Sequence, residues 1–417
     1  MLKNVLLLCL LAFAATPAQA QAQTQAQTGP VFSTTGPDAA AYGAAENYPV
    51  APPGAARAQK FLVGAFSHFD QLAPTRPVAR AATTWAWQRA ATELTLHYNF
   101  RGRVYDLAEY LDRHPVTGLL IARDDTILYE HYQYARTDHD RFTSQSMAKT
   151  MVSMLVGIAV AEGKIHSLDD SAATYLPALT GGELGQTPLR ALLTMTSGMQ
   201  FTEDYSGHDD SFRLGRDMLR RDSPGSLAAV MQFTTRAAAP GMVWHYKGLD
   251  TETLALALQA AIRMPLADYA GQRIWSRIGT EATALWGQDA RGQDIGPFGF
   301  NATLRDWARF ARLLAHDGNW NGTQLIPADY VREATTRPQA GPQSRVSPAY
   351  GYGYQVWLPI NPRRQFALLG VHGQTILVDP RSKLILVHTA VRPKPANDPM
   401  AAELLPLWNA LVAQLGD

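Results

Sequence analysis

Ser146-Met-Ala-Lys-Thr-Met-Val-Ser-Met-Leu-Val-Gly-Ile-Ala-Val-Ala161 is the stretch around which the rest of the chain can be arranged. From Met147 to Ala161 the only polar side chains are those of Lys149, Thr150 and Ser153, and a helix apolar on every side is normally buried. Gly163 suits the left-handed position that ends such a helix. Ser144 or Thr143 is placed to cap its start. Residues three apart share a helical face, roughly 5–6 Å apart at Cβ, so the Ser146 hydroxyl and the Lys149 amine can meet. Burial disfavours an ammonium ion, so this lysine is expected to lose its proton easily and to accept one from the serine. The helix N-terminus adds free N–H groups and a partial positive charge, which suit a developing oxyanion. The chain has seven lysines, and no other Ser-x-x-Lys occurs in it.

Sheet-like sequence lies on both sides of this helix. Gly118-Leu-Leu-Ile-Ala122 and Ile127-Leu-Tyr-Glu-His131 flank Arg123-Asp-Asp-Thr126, a hairpin pattern within Val116 to Tyr134. Far along the chain, Thr375-Ile-Leu-Val-Asp379 and Leu384-Ile-Leu-Val-His388 flank Pro380-Arg-Ser-Lys383 in the same way. A last helix is expected from about Met400 to Leu415, and residues 150–290 are mainly helical in pattern. The fold class is therefore α/β in the α+β sense: an antiparallel sheet built from sequence-distant hairpins and flanked by helices, with a helical subdomain inserted. This domain is expected over residues 58–417. Trp85, Trp87, Tyr98, Phe100 and Tyr105 suggest a packed wrap ahead of the first hairpin.

The chain's beginning reads as an address. Lys3 is followed by an apolar run from Val5 to Ala15, and Ala18-Gln-Ala20 offers small residues for a signal peptidase. The run falls short of the ~20 apolar residues a membrane span needs. A signal peptide over residues 1–20, cleaved after Ala20, gives a periplasmic or secreted protein without stable membrane insertion. Residues 21–57, rich in Gln, Ala, Thr and Pro, are expected to form a flexible linker. Cys9 is the only cysteine and lies inside the apolar run, so the mature chain has no disulfide or cysteine nucleophile.

A net charge of +1 without a basic run argues against nucleic acid. No Gly-x-Ser-x-Gly elbow, His-Glu-x-x-His pair or phosphate-cradling Gly-Lys-Ser/Thr loop occurs. No metal or other cofactor is expected.

Phe142-Thr-Ser-Gln-Ser-Met-Ala-Lys-Thr150 resembles the nucleophile segment of the serine β-lactamase-like family. Further matches follow in family order: Leu192-Leu-Thr-Met-Thr-Ser-Gly-Met199, Pro240-Gly241 followed by Tyr246, Thr303-Leu-Arg-Asp-Trp-Ala-Arg309, Tyr350-Gly-Tyr-Gly-Tyr354 and Gly370-Val-His-Gly-Gln-Thr-Ile-Leu-Val-Asp-Pro380. The resemblance covers about residues 115–415. It implies a β-lactamase/D,D-peptidase-like fold and an acyl-enzyme on Ser146, with Lys149 and Tyr246 taking and returning its proton. It places the second oxyanion donor near Gly370 to Gly373, with His372 and Gln374 as neighbours of the substrate.

Departures from the family pattern bear on substrate. The frequent Tyr-x-Asn reads Tyr246-Lys247-Gly248 here, and a Lys-Thr-Gly strand motif is missing near Leu368-Leu-Gly370. The branch most resembled is that of 6-aminohexanoate-dimer hydrolase and related esterases, which implies a small amide or ester substrate. In Phe201-Thr-Glu-Asp-Tyr205, Tyr205 stands where that branch has a mobile loop tyrosine. A D,D-carboxypeptidase or weak β-lactamase, and a non-catalytic penicillin- or peptidoglycan-binding sensor, are the alternatives.

Overall fold

The computed structural model describes residues 29–52 and 54–416. The expected signal peptide lies outside the described residues.

Among the described residues, nine strands form the main sheet. Its centre is the joint between the two hairpins. Val116–Arg123 and Thr126–Tyr132 make the first hairpin, and Gln374–Asp379 and Leu384–Ala390 make the second. Leu384–Ala390 runs antiparallel to Val116–Arg123, with Leu386 opposite Ile121 and Val387 opposite Leu120. Phe366–Gly370, Trp357–Pro359 and Tyr350–Tyr352 extend the sheet on the second hairpin's side.

These central strands are buried on both faces, and their side chains alternate with the period of two that a strand imposes. Leu119, Ile121, Leu377, Leu384 and Leu386 meet the C-terminal helix Leu404–Leu415 through Leu404, Leu407, Trp408 and Leu411. That spacing of three and four is one helical face. Leu120, Ala122, Ile376, Val378, Ile385 and Val387 instead join the large core shared with the helix Leu304–Ala315 and the nucleophile helix Ala148–Ala161. Between Ala148 and Arg273 the chain is mostly helical, and the long helix Gly248–Ile262 packs directly on Ala148–Ala161. Among the described residues no helix is long and apolar enough to cross a membrane.

Three expectations need correction. Residues 29–52 are not a flexible linker. Val31–Phe32 pairs in parallel with Thr126–Tyr132, as does Gln88–Arg89, so this edge of the sheet is not antiparallel. Tyr42 and Tyr48 are buried, each edge-on to Tyr134, and their hydroxyls donate to the Val391 and Thr34 carbonyls at 2.7 and 2.8 Å. Two aromatic anchors bury enough apolar surface to hold a segment whose composition is otherwise that of a linker.

The start of the nucleophile helix also differs. Gln145–Met147 is a 3-10 turn, and the α-helix begins at Ala148. Neither Ser144 nor Thr143 caps it, for the Ser144 hydroxyl donates to the Gln145 carbonyl at 2.9 Å. The last helix likewise starts later than expected, at Leu404, after a 3-10 turn over Pro399–Glu403.

Candidate active site

A second, four-stranded sheet sets the position of Ser146. In it Phe142–Thr143 pairs with Phe300–Ala302, Thr143 opposite Asn301, and the Ser144 amide donates to the Phe300 carbonyl at 2.7 Å. The chain then turns sharply, with Gln145 at φ 44°, a left-handed conformation unfavourable for a residue with a side chain. Ser146 follows, half-buried, and the chain enters the buried helix.

Lys149 is 3% exposed. Its Nζ donates to Ser146 Oγ and to the Pro297 carbonyl, each at 3.1 Å. Pro297 lies just ahead of Phe300–Ala302, so one small sheet aligns both the nucleophile and the carbonyl that holds the amine. Burial pulls the amine's pKa down to about 8, against the opposing pull of the carboxylates of Glu203 and Glu252. This is the direction that a buried lysine without a directly bonded counter-ion must take.

Tyr246 completes the cluster. Its ring centroid lies 5.0 Å from Lys149 Nζ. Burial raises the phenol well above its ordinary range, the Glu203 charge adds to that, and a hydrogen bond with Ser146 works the other way. Trp357, Trp244 and Tyr352 surround the ring at 5.4, 6.4 and 6.2 Å between centroids. Tyr350–Tyr352 and Trp357–Pro359 supply much of this aromatic wall from the sheet edge, and Met242 and Val243 stand exposed beside it.

The strand Phe366–Gly370 borders the nucleophile turn. A Cβ on Gly370 would lie 2.6 Å from the Ser144 carbonyl oxygen and 3.0 Å from Gln145 Cβ, so only glycine permits this approach. The residues after it do not present their side chains to Ser146. The His372 ring bonds through Nδ1 to the Arg392 carbonyl at 2.6 Å and meets Phe66 edge-on. The Gln374 amide donates to the Ala390 carbonyl at 2.6 Å, and the Gly373 carbonyl accepts from His388 at 2.8 Å. The His372 and Gln374 side chains thus hold the turn together. Gly370 abuts the nucleophile turn through Ser144 and Gln145.

Tyr205 does reach the cluster. Its hydroxyl donates to Glu203 at 2.8 Å, and its phenol feels both Glu203 and Tyr246. Its backbone sits at φ 60°. Asp209 fixes that conformation by accepting from the Asp204 and Tyr205 amides at 2.8 and 2.6 Å.

The altered Tyr-x-Asn segment has a local explanation. Lys247 is 1% exposed, with Nζ donating to Ser197 Oγ at 3.3 Å and lying 3.9 Å from Asp250. Gly248 begins the long helix, and its amide donates to Glu203 at 2.6 Å. Glu203, Glu252 and the Pro297 carbonyl are the neighbours of Lys149 that sequence reading missed. Glu252 carried the same signal as Lys149, a charge inside an apolar helix. A cavity of about 810 Å³ lies elsewhere; it shares Tyr352 with the aromatic wall but is lined by none of Ser146, Lys149 or Tyr246.

The Beta-lactamase family model matches residues 106–406. The chain belongs to that family. That family is one of serine hydrolases of the β-lactamase fold. The 6-aminohexanoate-dimer hydrolase of Paenarthrobacter ureafaciens is 24% identical over 350 residues, spanning 79% of this chain and 86% of that enzyme. A solved structure from Bacillus anthracis, named after the same hydrolase, superposes with a TM-score of 0.78 at 24% identity, covering 86% of this chain and 96% of its own. EstCE1, a hydrolase with promiscuous acyltransferase activity, gives a TM-score of 0.58 at 16% identity, over 73% and 96% of the two chains. These likenesses bear out the α+β architecture read from the two hairpins.

Proposed function

We propose that this member of the Beta-lactamase family is an exported serine amidase or esterase that cleaves a small linear substrate through an acyl-enzyme on Ser146. The observation that carries this reading is a buried amine 3.1 Å from the Ser146 hydroxyl, with its pKa drawn down to about 8. Such an amine is a fair share unprotonated near neutral pH and can take the serine proton as Oγ attacks the carbonyl. Tyr246, with its proton held tightly, serves as a neutral relay to the leaving group; the base is Lys149 and not a phenolate. The Ser146 amide and one from the Gly370–Gly373 segment receive the oxyanion. Water then releases the acyl group by the reverse proton path.

The substrate class follows from what surrounds the nucleophile. Trp244, Trp357 and Tyr352 offer an apolar wall suited to a methylene chain. Lys247, the cation adjoining Tyr246 in sequence, is turned to Asp250 and Ser197. The Lys-Thr-Gly strand motif, whose cation would grip the carboxylate of a β-lactam or a D,D-peptide, is missing. Similarity to the Paenarthrobacter ureafaciens enzyme points the same way. In a panel of short p-nitrophenyl esters, aminohexanoate oligomers, D-amino acid peptides and nitrocefin, we expect the esters and linear amides to give the highest kcat/KM. Nitrocefin or D-peptides outrunning both would overturn the substrate class.

Export rests on Lys3, the apolar run to Ala15 and Ala18-Gln-Ala20. Protein recovered from the periplasm or medium of an expressing Gram-negative host should begin at Gln21 on N-terminal sequencing. An intact Met1 in the cytoplasmic fraction would refute it.

A further inference from the structure

Glu203 has no part in the proton path described above, yet it bonds to Tyr205 and Gly248 and its charge bears on both Lys149 and Tyr246. It reaches in from the loop after Gly198 and is half-buried. One carboxylate oxygen accepts from the Tyr205 hydroxyl at 2.8 Å, and the other accepts from the Gly248 amide at 2.6 Å. A Cβ built on Gly248 would lie 3.5 Å from that second oxygen. The carboxylate thus stands within van der Waals range of the point where a side chain at position 248 would begin.

We propose that Glu203 is a positioning residue: it substitutes for the side chain missing at Gly248, latches the Tyr205 loop to the turn that carries Tyr246, and fixes a negative charge against the Ser146–Lys149–Tyr246 cluster. The inference rests on the proposed catalytic reading and deepens it.

The latch has two separable effects. The mechanical one concerns Tyr205, whose left-handed backbone is already held by Asp209. With the phenol also bonded to Glu203, the loop is closed at both backbone and side chain. Freed from Glu203, the ring no longer has a fixed place beside Tyr246, and substrate must order it on binding.

The electrostatic effect concerns Lys149. The groups facing its amine are Ser146, Tyr246 and the carboxylates of Glu203 and Glu252. Glu203 in turn faces Tyr205, Tyr246 and Tyr352, with Asp209 beyond the loop. A carboxylate near an ammonium favours its charged form. Glu203 therefore keeps more of Lys149 protonated at neutral pH than burial alone would.

Glu203→Gln tests the charge while leaving an oxygen to accept from the Gly248 amide and an amide group beside the Tyr205 phenol. The pH–rate profile of the full-length mature enzyme on a p-nitrophenyl ester should move its rising limb to lower pH. For a displacement of about one unit, the rate at pH 7 relative to the variant's own alkaline plateau rises roughly fivefold. A limb that stays in place overturns the electrostatic role. Glu203→Ala tests the mechanical effect and should raise KM several-fold. Tyr205→Phe should raise KM to a similar degree without shifting the limb, and the double variant should be no worse than Glu203→Ala. Independent, multiplying KM effects overturn the latch. Should Glu203→Ala fail to fold, Glu203→Gln and Tyr205→Phe still decide. Ser146→Ala, assayed alongside, separates the two levels. If it retains activity the catalytic reading falls; if it is inactive and Glu203 behaves as an ordinary loop residue, the latch alone falls.

Discussion

Replacing Ser146 by alanine should lower kcat on a chromogenic ester by about a millionfold, the size of loss seen when a serine hydrolase is stripped of its nucleophile. The expectation follows from position. Ser146 sits on a strained turn that the pairing of Phe142–Thr143 with Phe300–Ala302 holds in place, and its hydroxyl meets the Lys149 amine. The nearby serine and threonine hydroxyls are not placed to stand in for it. Ser144 is buried and bonded to the Gln145 carbonyl, Thr143 points into the core, and Ser153 lies two helical turns away beside Tyr330. The substitution removes one oxygen from a half-buried position, so the melting temperature should change little. A fluorophosphonate probe should label the wild-type protein at Ser146 and leave the variant unlabelled. Label on a different residue, or a variant within a hundredfold of wild type, would place the chemistry elsewhere.

How much of this was legible in the sequence depended on how local the signal was. The two hairpins could be read because buried strands impose a run of Leu, Ile and Val bounded by turn residues. Their side-by-side placement, Leu386 against Ile121, could be inferred only from the need for one sheet to close. The Ser146–Lys149 contact was legible because a spacing of three fixes proximity, even though the first residues prove to form a 3-10 turn, in which residues three apart lie still more nearly in line.

What failed were signals carried by composition or by motif alone. Residues 29–52 read as linker because Ala, Pro and Gly dominate them, while the energy of docking comes from Tyr42 and Tyr48. His372 and Gln374 adjoin the nucleophile strand in sequence, but a tight turn with His372 at φ 60° and Gly373 at φ 98° swings their side chains towards Arg392 and Ala390. Glu203 was passed over because a charge in a polar loop normally faces water, whereas here the Gly248 amide and the Tyr205 hydroxyl bind it. A departure from a family pattern is thus a guide to where a compensating residue must be sought.

Lys149 carries the second large effect. Lys149→Arg keeps a positive charge and a long side chain but cannot lose its proton, since a guanidinium has a pKa above ~12. If the amine serves only as a cation beside Tyr246, arginine should work; if it is the base, the rate should fall by about 10²–10⁴, the usual contribution of a general base. We expect the second outcome. Lys149 is packed among apolar groups, its nearest carboxylates are not hydrogen-bonded to it, and burial has brought it to about 8. The sign of the pH dependence follows. The active form is the neutral amine, so kcat/KM should be low at pH 6, climb through about 8 and level above it. Lys149→Met, nearly isosteric and without charge, removes the base while sparing the core a buried cation, so it should be as inactive as Lys149→Arg and more stable. An arginine variant with wild-type activity, or a wild-type profile flat from pH 5 to 9, would show that no neutral amine takes part in the reaction.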